Sequence, residues 1–187
     1  MKNSLRKELI EIRKNLSKKE VLENSNKIKG KLFTLKEFKR GNVILFYVSY
    51  DNEVFTHEMI KEAMAIGKNV IVPVSDKEHR RLILSKLENW DDLKTGSYGI
   101  LEPVKEKIKE FSINEIDLII IPGVGFDKRG NRIGHGKGYY DDLLSKSKAP
   151  HISLAFECQI VEKIPTEKHD MPVDKIVTER RIIDCQK

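Results

Sequence analysis

Four short apolar runs constrain the fold of this chain more than any other feature of its sequence. They are VILFYVS (43–49), NVIVPV (69–74), DLIIIPG (117–123) and HISLAF (151–156). Their β-rich composition predicts strands. Hydrophobicity in the third run is continuous rather than alternating, which predicts a strand buried on both faces, as in a parallel sheet. LILSKL (82–87) is predicted to be an edge strand.

Helical patterns precede and separate these runs. Apolar residues recur at helical spacing in the first segment, at Leu5, Leu9, Ile12 and Leu16. SKKE (17–20) is a capping box that opens a second helix. Thr56 is predicted to cap a third helix that ends near Gly67. The order of elements predicts a three-layer α/β/α fold with a mostly parallel sheet and extra N-terminal helices.

Length and composition fit one globular domain over residues 1–187. Hydrophobic residues make up 39% and charged residues 34% of the chain. No apolar run approaches the roughly 18 residues of a membrane span, and the charged N-terminus lacks the apolar centre of a signal peptide. Two cysteines without C-x-x-C spacing argue against a zinc site or a disulfide framework. We therefore expect a reducing, cytoplasmic setting.

The stretch RIGHGKGYYDD (132–142) lies between the most apolar run and a predicted helix. In parallel α/β sheets this is where ligands bind. Its G-x-G-x-G spacing matches neither the phosphate loop nor the dinucleotide fingerprint. Bare backbone amides, Lys137 and a helix start could still bind a phosphate, and Asp141 and Asp142 could supply oxygen ligands for Mg²⁺. Spacing alone leaves a structural glycine-rich loop as an open alternative.

The wider context resembles one known family. PGVGFDKRGNRIGHGKGYYD (122–141) resembles the signature of the 5-formyltetrahydrofolate cyclo-ligases, also called methenyltetrahydrofolate synthetases. Five further segments resemble that family in the same order: KNSLR (2–6), YVSYDNEVFT (47–56), GSYGILEP (96–103), LAFECQ (154–159) and HDMPVD (169–174). One departure is Leu101, where the family often has proline.

The resemblance implies an enzyme that uses ATP and Mg²⁺ to close 5-formyltetrahydrofolate into 5,10-methenyltetrahydrofolate. Lys2 and Arg6 would contact the ATP phosphates, although two solvated surface residues are the alternative. Further ATP contacts are implied at Arg132, Ile133, Gly134, His135, Gly136, Lys137, Gly138, Tyr139 and Tyr140. Lys137 and Arg6 are the implied catalytic cations. Asp141 and Asp170 match magnesium positions, with a turn before Met171 as the alternative for Asp170.

The same resemblance implies a folate site. Val48, Glu53 and Tyr98 match folate contacts, and the loop from Gly134 to Gly138, with His135, Gly136 and Lys137, would face the folate as well. Glu53 could instead be a solvent-facing acid, and Tyr98 an aromatic at the edge of the core. We expect a minor role for His135, because the family tolerates several residue types there.

The net charge of +6 allows several partners. A basic rim could attract the polyglutamate tail of a cellular folate. A nucleotide- or RNA-binding module is one competing interpretation, but no RNA-binding signature is present and aromatic residues are only 7%. An ATP-dependent enzyme acting on another amide is a second. We expect small-molecule substrates, no nucleic acid, no membrane and a monomer.

Overall fold

The structure is a computed structural model that describes residues 2–185, without the side chain of Ser97. Its α-helices are α1 (Lys2–Lys14), α2 (Lys18–Thr34), α3 (Lys36–Arg40), α4 (His57–Ala65) and α5 (Tyr139–Ser145). The first six strands are β1 (Val43–Phe46), β2 (Asn69–Asp76), β3 (Arg81–Lys86), β4 (Leu93–Thr95), β5 (Leu101–Pro103) and β6 (Leu118–Ile121). The remaining strands are β7 (Gly125–Asp127), β8 (Arg132–Ile133), β9 (His151–Leu154), β10 (Ile160–Val161), β11 (Lys175–Val177) and β12 (Ile182–Asp184).

Seven strands form the central sheet, in the order β12-β11-β9-β6-β1-β2-β3. The five inner strands pair in parallel, and β3 and β12 are antiparallel edges. Every residue of β6 is fully buried, as its continuous apolar sequence predicts. The mostly parallel sheet and the edge position of β3 are therefore confirmed.

Helices cover both faces of this sheet. Alternate strand residues such as Ile44 and Phe46 pack against α2, α3 and α4 in one apolar cluster. Leu45 points to the opposite face and packs in a second cluster with Leu143 and Leu144 of α5. The alternation follows from the period of two along a strand. The three-layer α/β/α prediction is confirmed.

A smaller sheet and helix α1 lie beside the main sheet. Strand β7 pairs with β8 and β10, which places the glycine stretch directly after this hairpin. Leu9 of α1 packs into a third, separate cluster with Val124, Ile133 and Ile164. No helix within residues 2–185 is both long and apolar enough to cross a membrane.

Local predictions fared unevenly. The capping box is present, with the Ser17 side chain accepting from the Glu20 backbone and Glu20 accepting in return. Gly67 adopts a φ of 87° after α4, as predicted. Thr56 occupies the predicted N-cap position of α4, but its side chain makes no capping hydrogen bond, because its hydroxyl donates to the Tyr47 carbonyl instead. The first strand was also predicted too long, since regular pairing ends at Phe46.

Candidate active site

A cavity of about 860 Å³ opens at the carboxyl ends of three neighbouring parallel strands. Tyr47 and Val48 follow β1, Pro122 follows β6, and Ser75 lies near the end of β2, all on the cavity wall. Ligands of open α/β sheets bind at this edge. Most of the wall was predicted from the sequence. The predicted site residues that line it are Lys2, Arg6, Val48, Glu53, Tyr98, Arg132, Gly134, His135, Gly136, Lys137, Gly138, Tyr139, Tyr140, Asp141 and Asp170.

Ile133 is the predicted site residue that does not line the cavity. Its side chain is fully buried among Leu9, Val124 and Ile164, and its carbonyl accepts from the Val124 backbone. The Ile133 side chain lies on strand β8 and packs against Leu9, so its role is to hold α1 against the hairpin. A role for Ile133 in binding ATP has no support in its contacts.

Helix α1 brings two cations to the cavity from one face. Lys2 Nζ donates to Asp170 Oδ2 at 2.5 Å, and Arg6 Nε donates to the Gly134 carbonyl at 2.8 Å. Residues four apart share a helical face, which is why both side chains reach the same wall. They are not isolated solvated side chains, as the alternative interpretation held. Arg6 instead ties α1 to the glycine loop, which comprises residues 134–138.

The glycine loop needs its glycines at two positions. Gly136 and Gly138 have φ values of 90° and 72°, in the left-handed region that glycine adopts without steric cost. A β-carbon on Gly136 would make only an ordinary van der Waals contact with the Arg6 guanidinium, so the requirement for glycine comes from the backbone angle. The backbone is thereby free to approach a ligand closely, while His135 and Lys137 project between the glycines.

Glu53 is the most buried acid on the cavity wall, with 4% of its surface exposed. Its Oε2 accepts from the Tyr50 backbone at 3.2 Å, and its Oε1 lies 3.4 Å from His135 Nε2. Burial, followed by the Glu53 charge, raises the pKa of the Tyr50 hydroxyl. Glu53 is therefore not a solvent-facing loop acid, and the structure discards that alternative.

The turn that carries Glu53 is fixed to the end of α1. The Asn52 amide reaches three carbonyls at that end, of Arg13, Lys14 and Leu16, at 3.0–3.4 Å. Terminal helix carbonyls lack partners within the helix, so a side-chain amide satisfies them. Helix α1 thus connects the glycine loop at one end with the Glu53 turn at the other.

Tyr98 stands on the cavity rim rather than at the edge of the core, with 48% of its surface exposed. Its φ of 59° is unusual for a residue with a bulky side chain. Lys137 Nζ lies over the ring, and Lys77 Nζ is 4.6 Å from the ring centroid. Hydrogen bonding by Lys137, together with the charges of both lysines, lowers the pKa of the Tyr98 hydroxyl.

The two predicted magnesium ligands both line the cavity and already contact cations. Arg132 Nη2 donates to Asp141 Oδ1 at 2.9 Å, and this guanidinium is almost fully buried. Asp141 Oδ1 also accepts from the backbone of Met171, the residue after Asp170. Burial of Asp170 opposes ionisation, but hydrogen bonds from Lys2 and the Glu167 backbone outweigh it and lower its pKa. Each carboxylate is therefore paired with a protein cation.

Two predictions about supporting residues can be compared with the structure. Tyr140 packs against both large apolar clusters, and its burial raises its pKa well above the ordinary range. Of the two neighbouring tyrosines, Tyr140 is therefore the one that packs α5 against the sheet. The buried Arg132 contacts Asp141 and the Pro122 carbonyl, so within the site it orients a carboxylate.

Several wall residues were not predicted from the sequence. Glu102, in the recognised GILEP segment, is buried and accepts from the Ser75 backbone at 2.9 Å. His169 and Glu167 line the cavity beside Asp170. Membership of the matched segments was the available signal for Glu102 and His169. Tyr50 lies in the matched segment 47–56 as well, whereas Ser75 carries no residue pattern that would distinguish it before the fold is known.

The sequence model of the 5-formyltetrahydrofolate cyclo-ligase family matches residues 1–179. The chain belongs to the 5-formyltetrahydrofolate cyclo-ligase family. The 5-formyltetrahydrofolate cyclo-ligase of Mus musculus is 33% identical over 95% of this chain and 93% of its own length. The cyclo-ligase of Haemophilus influenzae is 34% identical, covering 94% of this chain and 96% of that protein.

Solved structures show the same relationship in three dimensions. The 5,10-methenyltetrahydrofolate synthetase of Aquifex aeolicus superposes with a TM-score of 0.88 at 33% identity, covering 100% of this chain and 93% of that one. The synthetase of Mycoplasma pneumoniae gives a TM-score of 0.78 at 27% identity, covering 95% of this chain and 98% of that one. The family resemblance seen in six sequence segments is confirmed, and the chain is an enzyme of the cyclo-ligase type.

Proposed function

We propose that this cyclo-ligase closes 5-formyltetrahydrofolate to 5,10-methenyltetrahydrofolate at the expense of ATP, in the presence of Mg²⁺, and releases ADP and phosphate. One observation carries the proposal. A single cavity has two different walls. Lys2, Arg6 and the glycine loop form a cationic wall, and the other wall holds the buried Glu53 and the exposed ring of Tyr98. The first wall suits a triphosphate, and the second suits a flat heterocycle with adjacent N–H donors.

The chemistry requires activation of an amide, because a formamide carbon is a poor electrophile. The formyl oxygen attacks the γ-phosphorus of ATP, the bond to the β-phosphate oxygen breaks, and ADP leaves. The neighbouring anilinic nitrogen then attacks the phosphorylated imidate carbon and closes a five-membered ring. Loss of its proton and of phosphate leaves the methenyl cation. No covalent protein nucleophile is needed.

The protein supplies position and charge. Phosphoryl transfer depends mainly on alignment and on neutralising the transferring oxygens. Lys137 and Arg6 would neutralise that charge, and the loop amides would hold the phosphates. Glu53 would accept hydrogen bonds from the pterin edge, while Tyr98 would contact a ring face. Holding both reactants in one cavity replaces a bimolecular encounter with an effectively unimolecular one.

Asp141 and Asp170 fit a magnesium site that is completed by phosphate oxygens. Mg²⁺ at nucleotide sites uses one or two carboxylates together with phosphates and waters. Within residues 2–185, no group of three or more His, Cys, Asp or Glu side chains could hold a metal ion by itself. Phosphate oxygens of the nucleotide would therefore have to complete the site. When bound, Mg²⁺ would neutralise phosphate charge. Asp141 is held in place by the buried Arg132, and Asp170 by Lys2.

Three further proposals rest on the family and the charge of the chain. The net charge of +6 would raise the affinity for a polyglutamylated folate, and this electrostatic contribution should fall as the salt concentration rises. We also propose that the enzyme works as a monomer and in the cytoplasm. Comparing the salt dependence of KM for a polyglutamylated and a monoglutamyl substrate tests the first proposal, and equal dependence would remove it.

One assay tests the central proposal. Purified protein is mixed with ATP, Mg²⁺ and 5-formyltetrahydrofolate, and methenyltetrahydrofolate is followed by its absorbance. We expect product only when all three are present, with ADP formed in equal amount. Omission of ATP, and replacement of free Mg²⁺ by a chelated solution, are the two controls. Product formation without ATP would refute the nucleotide part of the proposal.

A further inference from the structure

The two side chains of the glycine loop contact two of the three residues outside it that are predicted to bind folate, Glu53 and Tyr98. His135 Nε2 lies 3.4 Å from Glu53 Oε1, across a sequence separation of 82 residues. Burial leaves Glu53 with few accessible directions, and its Oε2 already accepts from the Tyr50 backbone. His135 therefore lies beside the second carboxylate oxygen, where it restricts the approach of a pterin N–H.

Lys137 makes the corresponding contact on the rim. Its ammonium lies over the ring of Tyr98, where a cation is attracted by the negative face of an aromatic ring. A ligand ring cannot stack on that face while Lys137 covers it. The same lysine is the cation proposed to meet the γ-phosphate, so its two contacts compete.

We infer that His135 and Lys137 cover the folate contacts, and that nucleotide phosphates uncover them by drawing the glycine loop away, so that ATP and folate strengthen each other's binding. This inference rests on the proposed function. A strongly charged triphosphate offers Lys137 a better partner than a tyrosine ring. The loop would carry His135 with it, because the two residues are separated by Gly136 alone.

The surroundings of the loop allow this movement. Gly136 and Gly138 flank Lys137 and both have positive φ values, so the backbone can rotate there with little steric cost. A β-carbon on Gly138 would meet open space among the described residues. Gly134 is held by Arg6 at the other end of the loop. Movement would therefore be concentrated between residues 135 and 138.

Binding measurements test the coupling. The affinity for 5-formyltetrahydrofolate is measured by calorimetry, with and without Mg²⁺ and an ATP analogue that cannot transfer its γ-phosphate. We expect the folate Kd to fall about tenfold when the analogue is present, within the usual range for coupled sites. Linkage requires the folate to lower the Kd of the analogue by the same factor. Equal folate affinity in both conditions would overturn the inference.

The variant His135→Ala separates a cover from a direct contact. If His135 covers Glu53, removal should tighten folate binding several-fold without nucleotide and reduce the coupling factor. If His135 instead binds folate, its removal should weaken binding. His79→Ala is the matched control, because His79 pairs with Asp76 in the turn between β2 and β3 and does not line the cavity. Unchanged or weaker folate binding by His135→Ala would count against the inference.

The results also distinguish failure of the inference from failure of the proposed function. Turnover with ATP but no coupling would leave the proposed function intact and remove the inference. Absence of any nucleotide binding would refute the proposed function, and the His135→Ala measurement would then still decide whether His135 covers Glu53.

Discussion

Lys137→Ala should separate catalysis from stability in this enzyme. The Lys137 side chain is exposed, and its described contact is with the ring of Tyr98. Substitutions at such surface positions usually change the free energy of unfolding by about 0.5 kcal/mol or less. For a chain of this length, that corresponds to a change in Tm of about 2 °C at most.

The catalytic effect should be far larger. A unit positive charge about 4 Å from a phosphoryl oxygen contributes roughly 4 kcal/mol at an effective dielectric constant of about 20. Since each 1.36 kcal/mol is tenfold in rate, complete loss would lower the rate about 10³-fold. Water can replace part of this charge, so we expect kcat to fall by about 10²–10³. The measurement is the absorbance assay of methenyl formation at saturating ATP and folate.

A second lysine supplies the control. Lys77 also lies near the Tyr98 ring, at 4.6 Å from its centroid, but it does not line the cavity. Lys77→Ala should therefore leave kcat within about threefold of the unmodified enzyme. The reasoning would be refuted if Lys137→Ala kept nearly full kcat, or if Lys77→Ala lost as much.

Three further predictions concern the site and the scaffold. Glu53→Gln keeps the shape of the side chain but removes its charge, so KM for folate should rise about ten- to a hundredfold, while KM for ATP, measured at saturating folate, stays unchanged in steady-state assays. Gly130→Ala should lower the free energy of unfolding by about 1–3 kcal/mol more than Gly67→Ala in denaturant titrations. Both glycines have φ near 85°, but only at 130 would a β-carbon collide with a backbone carbonyl. Asp76 has a pKa lowered to about 2, chiefly by the backbone N–H of His79. A carboxyl group whose pKa is lowered by folding stabilises the folded protein at pH values above its unfolded pKa, which is 3.8 for Asp76. Asp76→Asn should therefore reduce Tm at pH 7. The difference in Tm between the two proteins should disappear as the pH falls from 3.8 through 2. A difference that persisted at lower pH would contradict this origin.

Features set by local sequence were largely predictable. Continuous apolar runs gave the buried parallel strands, and Ser17 with Glu20 gave the start of α2, because both depend on neighbours in the sequence. The side-chain capping bond predicted for Thr56 is absent, because its hydroxyl donates to the Tyr47 carbonyl in the preceding segment. Whether this hydroxyl bonds to that carbonyl or to a helix amide depends on the fold of the segment between residues 47 and 56. A single domain over 1–187 remains a prediction.

The site was predictable in membership but not in arrangement. Family resemblance named more than half of the residues on the cavity wall. No sequence pattern indicated that His135 would face Glu53, or that Lys2 would contact Asp170, because these pairs are separated by 82 and 168 residues. The roles of the wall residues in binding ATP, folate and Mg²⁺ remain predictions until ligands are measured.

Besides its hydrogen bonds, helix α1 is attached to the rest of the molecule through a small apolar cluster of its own. Leu9 meets Val124, Ile133 and Ile164 there, outside the two large clusters that hold the sheet. Regions with few buried apolar contacts open locally at a lower free energy than the whole domain. On warming, such an opening would withdraw Lys2 and Arg6 together while the sheet stayed folded. The temperature at which turnover fails can therefore lie below the temperature at which the protein melts.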